Sequence, residues 1–149
     1  MSTTVTRTDA IEALNAALAA VCHSTLPHLA TAEAFVSWLS VEEQALLGAM
    51  VRDEESQRRE LAAAILELGG EPRATPPATS AAELHYLDLR YVVPRLVADK
   101  RRLAAELERV ASRTADEPRA AAALGRVLQS QREQAAHLSR MAASRGLAT

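Results

Sequence analysis

The stretch DEESQRRELAAAILELGGEP, residues 53–72, sets a carboxylate and an amide, Glu54 and Gln57, on a helix face whose other members are apolar. At spacings of three and four that stripe reads Leu46, Met50, Glu54, Gln57, Leu61, Ile65, Leu68. The same polar interruption recurs in Val93, Leu96, Lys100, Leu103, Leu107, Val110. It recurs again in Leu124, Leu128, Gln131, Gln134, Leu138, Met141, with His137 beside the stripe. A milder version is Ile11, Leu14, Leu18, Val21, Thr25, His28, Ala32, Phe35. Each residue alone could sit at a stripe margin and reach solvent, as long side chains do. Their coincidence implies that Glu54, Lys100, Gln134 and His137 meet in one interior layer. Glu54 and Lys100 should then pair, because an isolated buried charge is prohibitively costly. The amides, including Gln57, and the imidazole would satisfy the remaining donors and acceptors. A second chemistry is a single metal ion held by His28, Glu54 and His137. His23 and His28 do not share a helix face well, and Cys22 has no activating base next to it in sequence. No Gly-rich phosphate loop or nucleophile elbow occurs, so no catalytic residue is assigned.

The elements that must carry this layer are helices. Ser40–Glu43, Ser80–Glu83 and Thr114–Glu117 read as capping boxes, and Asp9–Glu12 as a weaker one. Gly69-Gly70 followed by Pro72, and later Gly146, read as stops. The signals predict helices at about 9–38, 41–68, 81–113 and 115–145. Pro27 can interrupt the first, and Pro94 should kink or locally break the third. Pro118 falls in the first turn of the last helix, where it is tolerated. GGEPRATPPATS, about residues 69–80, reads as an extended crossover, and the other two connections are short. One long link between two helical hairpins predicts an all-α, up-down four-helix bundle forming a single domain over residues 1–149.

Composition agrees. Hydrophobic residues make up 48% but aromatics only 3%, so alanine and leucine dominate and strand-type alternation is absent. A net charge of −2 gives no sign of a nucleic-acid surface. No run reaches membrane-spanning length and the first residues lack a signal core. The lone Cys22 cannot form an internal disulfide. A cytoplasmic protein is the expectation.

The ending ELGGEP, counted back to Glu54 and Gln57, together with LHYLDLRYVVPRLVADKRR (residues 84–102), resembles the ferritin-like superfamily. The likeness is to rubrerythrin-type and bacterial ferritin-like members, and it spans about residues 10–142. It implies a site built from a Glu on each of two helices and a Glu-x-x-His on each of the other two. Carried over by position, the first-helix carboxylate falls at Val21 or Cys22. In the second helix Glu54 is kept and Gln57 stands at the histidine position. The third-helix carboxylate falls at Lys100, or at Asp99 one residue earlier. In the fourth, His137 is kept and Gln134 stands at the glutamate position. Two metal ions need several anionic oxygens, glutamine is a poor ligand, and an ammonium repels a cation. Lys100 can instead supply the charge that the metals supplied.

The leading expectation is therefore a ferritin-like bundle without a working di-iron centre and with no cofactor. It would be more a structural or interaction module than an enzyme, acting as a homodimer or with a protein partner, and not with nucleic acid or a membrane. The competing expectation is a metal-binding member, an iron handler or oxidase with an unusual ligand set for iron or another divalent metal. A third is a small-ligand binder using an interior pocket around Ala16, Ala17, Ala62, Ala63, Ala104 and Ala105.

Overall fold

The computed structural model describes residues 3–73 and 89–147 of the chain. The segment 74–80 of the crossover, the Ser80–Glu83 capping box and the expected start of the third long helix at 81 lie outside them. The helices are α1 (Thr3–Cys22), α2 (Leu26–Ala30), α3 (Glu33–Trp38), α4 (Val41–Glu67), α5 (Leu89–Ala111) and α6 (Pro118–Ser144). No strand occurs among the described residues, and no helix there is long and apolar enough to cross a membrane.

The expected first helix is three pieces. It begins at Thr3 rather than near Asp9, since nothing in residues 3–8 is a helix breaker. It ends at Cys22 because Pro27, in the first turn of α2, cannot donate within a continuous helix. The break frees Ser24 from the helical register. Pro94, by contrast, lies inside an unbroken α5.

α4 starts as the sequence implies. Ser40 Oγ accepts from Glu43 N (3.1 Å) and Glu43 Oε1 accepts from Ser40 N (2.8 Å). It stops at a left-handed Gly69, φ 86°. Gly70 N donates to Ile65 O (2.9 Å) and Gly69 N to Leu66 O (3.0 Å), closing the last carbonyls. Gly70 is needed for a second reason: a Cβ there would lie 2.6 Å from Ile11 Cγ2. Gly146, φ 68°, closes α6 in the same way, with Leu147 N donating to Ala142 O (2.9 Å).

The Thr114 capping box does not form. Thr114 Oγ1 donates back to Ala111 O (2.9 Å), and α6 begins at Pro118 with Glu117 as its cap, accepting from Arg119 N (3.0 Å). Pro118 has no N–H to satisfy and is preset for the first helical position, so the cap falls on the residue before it.

Two apolar clusters fill the interior. One joins α1, the C-terminal halves of α4 and α5 and the N-terminal half of α6. The other joins α2, α3, the N-terminal halves of α4 and α5 and the C-terminal half of α6. α4 and α5 thus run the same way, and α1 and α6 run opposite to them. The link from α4 to α5 therefore joins opposite ends of the bundle. Asn15, buried on α1, holds the start of that link: its Nδ2 donates to Glu71 O (3.2 Å) and its Oδ1 accepts from Arg73 N (2.8 Å).

Arg145 ties the far end of the bundle. Its Nε donates to Glu43 Oε2 (2.8 Å), its Nη2 to Trp38 O (3.2 Å), and its guanidinium stacks 4.1 Å from the Trp38 ring centre. The guanidinium holds the Glu43 carboxyl at about 2, against an ordinary 4.5. With both side chains partly solvated, Arg145→Ala is expected to cost about 1–2 kcal/mol near neutrality. A lowered carboxyl stabilises the fold fully above its unfolded value and loses that effect as pH falls through the folded one. The stability gap between wild type and Arg145→Ala in urea melts should therefore be constant above pH 5 and shrink between about pH 4.5 and 2.

Candidate functional site

Between the two apolar clusters lies a polar layer. Lys100 on α5 and Glu54 on α4 form an ion pair in which both side chains are 0% exposed. Lys100 Nζ also donates to Gln131 Oε1 on α6 (3.0 Å). Gln131 Nε2 donates to Gln57 Oε1 (2.7 Å), and Gln57 Nε2 to Ser130 Oγ (2.9 Å). Ser24, from the break after α1, donates to Glu54 Oε1 (2.8 Å). Gln134 lies one turn further along α6 and donates to Met50 O (3.3 Å). One chain of donors thus runs from Lys100 on α5 to Gln131 on α6, Gln57 on α4 and back to Ser130 on α6, while Lys100 and Ser24 both donate to Glu54. Glu54 Oε2 and Gln134 Oε1 have no donor among the described residues.

Burial pushes the Lys100 amine below the usual lysine range, and the Glu54 carboxylate opposes that shift. The pairing is what allows the charge to be held inside at all.

The sequence-derived candidates divide as follows. Glu54, Gln57, Lys100 and Gln134 are all buried. His137 is not in the layer: it is exposed on α6, and its Nδ1 accepts from Arg140 Nη2 (2.7 Å). Gln131 takes the inward place, because His137 lies about 120° around the helix from it. The inward pair spaced by three on α6 is therefore Gln131 and Gln134, not Gln134 and His137. His28 is half-buried on α2, and the set His28, Glu54, His137 is not assembled; no three His, Cys, Asp or Glu side chains form a metal-type group among the described residues. Between the two registers on α5, Lys100 turns inward, whereas Asp99 accepts from Thr25 Oγ1 (3.1 Å) and pairs with Arg102. Val21 is buried in the apolar cluster and Cys22 is half-buried beside it.

Sequence reasoning missed Ser24. Its one signal was Pro27 three residues later, which forces the chain out of the helix there. Among the described residues the six alanines named for an interior pocket do not enclose one together: only Ala17 is fully buried, the rest being partly or well exposed. What exists instead is a surface cleft of about 500 Å³ where α1 breaks beside α5. His23, Ser24, Thr25, Arg95, Asp99 and Arg102 line it, and Ser24 links its wall to Glu54.

Four long helices, a return link between two parallel ones, and a polar layer at mid-height define the class of helical bundles that carry their chemistry between facing helices. The chain belongs to the ferritin-like family: the model of the ferritin-like domain matches residues 11–144. Comparison with curated proteins and with solved structures gives no match.

Proposed function

We propose that this ferritin-like bundle works without a di-iron centre, as a non-catalytic structural or interaction module whose mid-layer is held by charge pairing instead of metal. The observation that carries the reading is the Lys100 ammonium, fully buried between Glu54 and Gln131. The donors available to a metal pair would be one carboxylate, three carboxamides and a serine hydroxyl. That set does not fit two ions of charge two or three, for which carboxylates and imidazoles are the working ligands. With α6 read in its inward register, Glu54 is the one acidic side chain left in the layer among the described residues. Two ions would have to share that single carboxylate, which Lys100 already holds, so no step of the family's oxygen and iron chemistry is assigned.

The layer's role under this reading is to fix helix register. With apolar faces above and below the layer the helices could slide past one another by a turn, whereas Lys100 must find Glu54. The test is aerobic Fe(II) oxidation followed at near-ultraviolet wavelengths. The protein is expected to oxidise Fe(II) no faster than buffer. Saturable, stoichiometric oxidation would replace this reading with that of an iron-handling member.

A further inference from the structure

We propose that the shallow groove between α5 and α6, formed by Arg101, Arg132 and Arg140 over a floor of small residues, binds small phosphate-bearing molecules. The groove has a volume of about 460 Å³, and besides these arginines it is lined by Ala135, Ala136, Ser139 and Ala143. Among the described residues none of its lining is acidic.

Several arginines elsewhere on the bundle have carboxylate partners: Arg119 with Glu60 and Glu67, Arg126 with Glu60, Arg109 with Glu106, Arg145 with Glu43. In the groove, Arg132 meets Glu108 at 3.2 Å at one end. Among the described residues Arg101 and Arg140 pair with no carboxylate. Arg101 donates to the neutral Ser139 hydroxyl (3.4 Å), and Arg140 to His137 Nδ1 (2.7 Å). Arg140 cannot give up its proton, so this imidazole nitrogen is the acceptor and the other ring nitrogen is left as a further donor. The groove thus gathers donors and positive charge on a chain whose acids outnumber its bases, 19 to 17.

Guanidinium forks match the oxygens of a phosphate, and the match is better than to a spherical anion. The alanines keep the floor low, so that an anion can approach from solvent and meet arginines from both helices. The space suits a phosphate ester of modest size rather than a bare ion alone.

The experiment is titration of the full chain with inorganic phosphate and with pyrophosphate at low ionic strength, followed by amide NMR shifts. Saturable shifts confined to α5 and α6 around Arg101, Ser139 and Arg140 are expected, stronger with pyrophosphate. The Arg101→Gln/Arg140→Gln double variant should weaken binding at least tenfold. Arg95→Gln, on the cleft at the other side of α5, should leave it unchanged. Acetate binding as tightly as phosphate would overturn the proposal, as would unaltered binding by the double variant or no saturable shift with either phosphate. Vesicles containing phosphatidic acid distinguish a lipid headgroup from a soluble ligand: capture by vesicles without binding of soluble phosphate also overturns it.

Discussion

Glu54→Leu is expected to lower stability by about 3–5 kcal/mol, because it leaves the Lys100 ammonium buried with only an amide oxygen for a partner. For a chain of this size the melting midpoint should fall by roughly 10 °C. The double variant Glu54→Leu/Lys100→Met should recover most of that loss and can exceed wild type, since removing both charges also removes both desolvation costs. The cycle separates two ideas that a single variant confuses. A large penalty for the single change says only that a lone buried charge is costly. A double variant as stable as wild type says that the pair contributes register and not net stability. The register claim then has its own readout: the double variant should show broadened amide signals or a less cooperative melt, as an interior that packs in more than one alignment would. A sharp melt with wild-type dispersion would remove the register role.

Lys100→Glu is expected to be the most damaging single change in the layer. It sets a second carboxylate beside Glu54 and removes the cation that faces it, so like charges meet in a site with little solvent. A loss of roughly 5 kcal/mol near neutral pH is expected. The same change gives the layer two acidic side chains on facing helices, the minimum from which a divalent ion can draw. Mn(II) or Zn(II) should therefore raise the melting midpoint of Lys100→Glu. At a hundredfold excess over its dissociation constant the ion would restore about 2.7 kcal/mol. Wild type should not move under the same ions. A wild-type midpoint that rises with Mn(II) as much as the variant's would mean that the ammonium does not exclude the metal.

Periodicity made the bundle legible. The apolar members of the α5 and α6 stripes are the core residues, and the breaks at Gly69 and Gly146 fall where the left-handed glycines are. Lys100 and Glu54 could be matched across two helices because each was the lone charge in an apolar run. Phase was harder. Gln131, Gln134 and His137 are successive residues spaced by three, and a motif of that spacing fits either of two neighbouring pairs. The imidazole drew the reading one turn too far, while the flanking apolar residues Leu128, Ala135 and Leu138 centre the buried face on Gln131. Ser24, Asn15 and Arg145 were not legible for a different reason. Each makes its contacts through a break, a return link or a helix end, where no repeat carries information. Thr114 illustrates local competition: a capping-box pattern lost to a proline that supplies a better-preset start four residues later.

The central question is whether the Lys100 layer takes the place of metal. The most direct measurement is elemental analysis of the intact chain after anaerobic loading with Fe(II) and desalting, with circular dichroism on the same sample. The prediction is iron far below one atom per chain with the helical signal intact. About two irons per chain, the complement of a working ferritin-like site, would contradict it outright.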